Sequence, residues 1–193
     1  MWRAASREAR RVTVARLLRH SWGRFQPGSF KVIASGSRQK AYEDSCSGLR
    51  QHPGDYVILP ADSETAVTAT PWIHLNTGDG DNWQRPSGVV DEQAHLMVQV
   101  MESCFLADRQ ALSNYYGQGF LRNSLPRERD IEQIQKQRVF DAFRHASRPT
   151  QKGPCHKTKH GFDLLELIDP DLVREAPRYA ENLFAALKRE TPD

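Results

Sequence analysis

The sequence predicts an α+β fold in which a small antiparallel β-sheet or hairpin from the first half packs against a helical second half. Three observations lead there. β-prone runs bounded by turn residues are confined to positions 30–75, apolar residues recur at helical spacing after position 91, and the two patterns do not alternate along the chain.

Taken in order, Phe30-Lys31-Val32-Ile33-Ala34 is a short β-prone run closed by Ser35-Gly36-Ser37. Tyr56-Val57-Ile58-Leu59 is a continuous apolar run between Pro53-Gly54-Asp55 and Pro60. After the polar Asp62-Ser63-Glu64 comes Ala66–Leu75, with Pro71 placed where an edge strand or bulge would take it. Residues 56–59 and 66–70 are therefore expected to form a hairpin. From Asn76 to Gly88 the chain is dense in Asn, Asp and Gly and reads as a long loop.

Beyond it, Met97, Val100, Met101, Cys104, Phe105, Ala111, Leu112 and Tyr115 recur at helical spacing and predict a helix over 91–116, stopped by Gly117 and Gly119. A second helix is expected from Ser124 to Ser147 and a Lys/Pro/Gly-rich connector from Arg148 to Gly161. Asp169-Pro170 has the form of a cap and first helical residue, and Pro177 opens a last helix with Tyr179, Leu183, Ala186 and Leu187 on one face. Asp108 falls inside the apolar stripe of the 91–116 helix. A carboxylate there needs a partner, and Arg122, Arg138 or Arg144 from the next segment is the expected one. His145 falls on an apolar side, as a core histidine would.

Charge divides the chain more sharply than composition does. Residues 1–50 hold eleven Lys and Arg against Glu8, Glu43 and Asp44, whereas the whole chain has a net charge of only +3, so the remainder is acidic. Residues 1–45 are read as a basic arm or a targeting presequence, and 46–193 as one α+β domain with a helical tail. The presequence reading rests on an amphipathic, Arg-rich and acid-poor head, with Val14, Leu17, Leu18, Ser21, Trp22 and Phe25 on one stripe. It places the protein in the mitochondrion, at the matrix or the matrix face of the inner membrane; the alternative is a bacterial cytoplasm. The arm reading makes Arg16, Arg19 and Arg24 contacts for nucleic-acid phosphates.

Cys46, Cys104 and Cys155 are odd in number and widely spaced, which argues against a disulfide scaffold. No apolar stretch approaches the roughly 20 residues of a membrane-spanning helix. Nucleophile elbows, phosphate-binding loops, dinucleotide fingerprints and HExxH zinc motifs are all missing.

Two local constellations remain. His74, Asp79 and Asp81, in a loop with Asn76 and Asn82, offer hard oxygen ligands and an imidazole for a divalent cation. Cys155, His156 and His160 lack the second clustered pair that a closed zinc site needs, and Lys152, Lys157 and Lys159 around them suit a phosphate backbone better. The expected function is an accessory or structural subunit, or an assembly factor, of a large mitochondrial complex such as the ribosome or a respiratory assembly. Its partners would be other protein subunits and RNA or DNA, with no cofactor. A nucleic-acid-binding protein using the arm and the 152–159 loop is the first alternative. A small metal-dependent enzyme using the 74–82 loop is the second.

Overall fold

The structure, a computed structural model, describes residues 37–77, 81–175 and 178–190 together with Ile33 and Ser35. Residues 1–32 of the basic head, with Ala34 and Gly36, lie outside the described residues, so of the 30–34 run only Ile33 is described. Helix α1 (Arg38–Gln51) is started by Ser37, whose Oγ accepts the Lys40 N–H at 3.2 Å. It crosses position 45 without a break, and Ala41, Tyr42 and Leu49 pack against the sheet.

The chain mixes helix and strand, but its sheet is parallel where an antiparallel one was expected. β1 (Leu59–Asp62) pairs with β2 (Ala94–Met97), Leu59 opposite Ala94 and Asp62 opposite Met97. The 56–59/66–70 hairpin does not form. Asp62-Ser63-Glu64 extends the parallel pairing instead of turning: the Ser63 and Glu64 N–H groups donate to the Met97 and Gln99 carbonyls at 3.0 and 2.8 Å. The crossover then carries helix α2 (Pro71–Thr77), in which Pro71 occupies the first helical position, where the lost N–H has no intrahelical partner in any case. α2 buries Trp72, His74 and Leu75 against β2.

The expected helix over 91–116 is not continuous. Its first part is a 3₁₀ turn (Asp91–Gln93) and β2, followed by a second 3₁₀ stretch (Met101–Ala107), and only Arg109–Tyr116 is α-helical, as α3. A strand buried on both faces has no polar alternation to mark it, so its apolar residues merge with a following 3₁₀ stripe into an apparent helical period. Asp108 is accordingly the N-cap of α3 rather than a mid-helix residue. It is buried as expected, but its partners are backbone groups: Oδ1 accepts Ala111 N–H at 2.9 Å and Oδ2 accepts Asp169 N–H at 3.0 Å. Arg122, Arg138 and Arg144 turn instead to Gln110, Glu128 and Asp141.

The expected 124–147 helix is likewise cut. Two 3₁₀ turns (Arg122–Ser124 and Ile131–Gln133) precede helix α4 (Lys136–Ser147), and His145 is exposed rather than in the core. Helix α5 (Lys157–Leu167) takes the end of the supposed connector, and α6 (Pro170–Glu175) begins at the expected Asp169-Pro170 cap, with Asp169 Oδ1 accepting Asp171 N–H at 2.9 Å. Helix α7 (Arg178–Glu190) closes the described chain. Among the described residues no helix is long and apolar enough to cross a membrane.

Two apolar clusters result. One joins Phe105, Leu112, Val139, Phe143 and Leu164 from the helical half. The other joins Leu59, Trp72, Leu75, Trp83 and Leu96 around the sheet. α7 spans them, with Phe184 in the first and Tyr179 against the second, and buried Glu132 Oε1 accepts the Tyr179 N–H at 2.9 Å. Trp83 is pinned from several sides: its indole N–H donates to Gln39 Oε1 at 2.9 Å, Tyr42 stacks on it at 4.9 Å, and the Arg38 guanidinium lies 4.7 Å from its ring centre.

Candidate functional site

Ligands of parallel sheets usually sit beyond the C-terminal ends of the strands. Here that edge is occupied by internal contacts. Asp62 Oδ1 accepts Met101 N–H at 2.8 Å, Arg38 Nε donates to the Asp62 carbonyl at 2.8 Å, and Lys136 Nζ pairs with Glu64 at 2.8 Å. Burial first, then Asp62, Glu132 and Glu102, push the Cys104 thiol up to about 12, so it stays protonated at neutral pH.

The cation loop is not assembled among the described residues. His74 is buried with Nε2 2.9 Å from the Ser63 carbonyl oxygen, Asp81 pairs with Arg38, and Asp79 lies outside the described residues. More generally, among the described residues no group of three or more His, Cys, Asp and Glu is arranged to hold a metal.

Of the basic candidates, Arg16, Arg19 and Arg24 lie outside the described residues, and Lys157 is described only as the first residue of α5. Lys152 and Lys159 are exposed and are brought together around the Tyr115–His160 contact. Lys152 Nζ stands 4.4 Å above the Tyr115 ring, and both lysines act on His160. His160 faces inward, its Nδ1 accepting the His156 N–H at 3.2 Å. Burial, then Lys159, hold its pKa below the ordinary value, with Asp163 opposing and His156 and Lys152 adding to the depression.

A larger basic feature lies elsewhere. A groove of about 570 Å³ is lined by Arg109, Arg122, Arg127 and Arg129, with Glu128 the one acid among its described lining residues. Its floor includes the buried Leu106 and Ile131. The local fold explains the convergence. Asp108 starts α3 so that Arg109 is its first residue, the 3₁₀ turn at Arg122–Ser124 brings Arg122 to Gln110 of the same helix, and Leu125 and Pro126, both buried, precede Arg127 and Arg129 at the groove. Arg109 donates to the Pro126 carbonyl and Arg122 to Gln110 Oε1 at 3.1 Å, which orients both guanidiniums without neutralising either.

Among the described residues none of the four arginines has a carboxylate partner, because Glu128 is taken by Arg138. Burial, then Arg122 and Arg127, lower the Arg109 pKa from its ordinary value, with Glu128 opposing. Like charges are thus gathered around one open groove, where their summed field attracts an anion. Sequence reading missed this groove because its arginines are separated in the chain and look like ordinary surface charge. The only local signal is Arg127-Glu128-Arg129 directly after a proline.

No curated protein and no solved structure matches the chain. A family model does: the one described as "Domain of unknown function (DUF4276)" matches residues 6–188, and the chain belongs to that family.

Proposed function

We propose that the protein binds the phosphate backbone of a nucleic acid, with the 109–129 groove as its principal contact surface. The observation that carries this reading is the set of four arginines, oriented by neutral acceptors or, among the described residues, without an ion-pair partner, around a groove whose one acid among the described residues is an already paired glutamate. Guanidiniums match phosphate oxygens in fork geometry, and phosphate contacts supply most sequence-independent affinity. Lys152 and Lys159 lie near the far end of α3 from Arg109 and supply a secondary contact. The family match begins at residue 6, so most of the basic head falls within the same family domain as the groove.

The test is a titration of the full chain against labelled single- and double-stranded oligonucleotides over a range of salt concentrations. With three to four phosphate contacts, log K should fall against log salt with a slope of roughly −2 to −4. A flat slope, or no binding at low salt, rejects the reading.

A second reading is an accessory subunit or assembly factor of a mitochondrial complex, and its protein-contact part draws on Leu167 and Leu172. These are 53% and 41% exposed where α5 gives way to α6, and such side chains favour contact with another protein. A fluorescent fusion of the full chain that stays diffuse in the cytosol rejects the compartment.

A further inference from the structure

Resting on the nucleic-acid reading, we infer that the arginine groove is built for the end of a strand: it seats a terminal phosphate monoester, and the chain leading from it is held more weakly.

The positive charge is focal rather than continuous. The groove next to it, about 610 Å³ in volume, shares Arg127 and Glu128 and adds Arg138, Asp141 and His145. In that second groove two arginines face two acids, Arg138 is tied to Glu128, and Arg144 bonds Asp141 from the same helix at 3.4 Å. A polynucleotide crossing from one groove to the other would pass from a strongly positive site into one whose two acids are each paired and which, among the described residues, adds no unpaired guanidinium of its own for the next phosphate. A track for a phosphodiester chain needs charge repeated along its length.

One compact site with a surplus of guanidiniums suits an anion of high local charge. A phosphate monoester carries about −1.5 to −2 near pH 7 and three terminal oxygens, whereas a diester carries one charge spread over two. Arg109 and Arg122 are already oriented by Pro126 and Gln110, and the exposed Arg127 and Arg129 line the same groove.

The experiment compares one single-stranded oligonucleotide in 5′-phosphorylated, 3′-phosphorylated and unphosphorylated forms, bound to the full chain at fixed salt. Either phosphorylated end should bind at least 10-fold tighter than the unphosphorylated strand. Inorganic phosphate at millimolar concentration should erase the difference. In Arg122→Gln and Arg127→Gln variants, whose side chains are exposed and whose folding is checked by their melting curves, the preference should fall to within 2-fold. Equal affinity for all three forms overturns the inference while leaving backbone binding intact; no binding of any form defeats the underlying reading as well. A phosphoserine peptide of matched length that binds as tightly as the phosphorylated strands also overturns it, since the site would then read phosphate alone.

Discussion

Asp108 and Asp169, sixty-one positions apart, are joined by a 3.0 Å hydrogen bond from the Asp169 backbone N–H to Asp108 Oδ2. The other oxygen of the same carboxylate caps α3 through Ala111 N–H. One buried side chain therefore fixes where Arg109 begins its helix and where α5 hands over to α6. It couples the wall of the groove to the C-terminal half of the fold.

Replacing Asp108 by Ala removes the cap and the part-buried hydrogen bond from the Asp169 N–H. A lost N-cap costs about 1 kcal/mol and a second hydrogen bond to a charged oxygen about 1–2 more, so Asp108→Ala should lower unfolding stability in urea by roughly 2–3 kcal/mol. Asp108→Asn retains one acceptor oxygen and should lose about half as much.

Gly119 has φ +88°, and a Cβ built there would sit 2.8 Å from the Pro149 carbonyl oxygen. Both the backbone conformation and the contact oppose a side chain, so Gly119→Ala should destabilise by about 2–4 kcal/mol. Gly88 has φ +79° with nothing within 4 Å. Gly88→Ala should therefore cost only about 1 kcal/mol, the conformational part alone. Paired thermal melts of the two variants separate the contributions.

His95, on β2 and 5% exposed, has its pKa lowered from 6.5 to about 4, by burial first, with Arg189 adding and Glu92 opposing. The unfolded chain takes up a proton at its ordinary value while the folded one resists until near pH 4. His95 therefore supports the fold fully above pH 6.5, and that support is lost as pH falls from 6.5 toward 4. The shift corresponds to on the order of 3 kcal/mol across that window. Urea titrations at pH 7 and pH 4.5 should show the fall in wild type and a smaller one in His95→Leu.

Legibility in the sequence followed the strength of local chemistry. Asp169-Pro170 was readable as a helix start because cap and first-position proline act within a few residues. The direction of the sheet was not readable. β1 and β2 are joined through a long crossover, and Asp62-Ser63-Glu64 looks the same whether it turns a hairpin or ends a parallel strand. Asp108 was recognisable as a buried carboxylate but not as a cap, because the apolar residues of β2 and the following 3₁₀ stretch imitate one helical period. The arginine groove exists only after α3 and the 122–131 segment fold against each other, so no spacing in the sequence announces it.

The most direct test of the groove as a nucleic-acid site is the affinity of the Arg127→Glu/Arg129→Glu double variant for a labelled single strand, measured by anisotropy beside wild type and Lys152→Ala/Lys159→Ala. Both substituted arginines are exposed and make no described hydrogen bond or ion pair, so the fold should survive. The double variant is predicted to lose at least 10-fold in affinity and about 2 in salt slope, and the lysine variant to lose less than 5-fold. Wild-type affinity in Arg127→Glu/Arg129→Glu would contradict the assignment of the groove.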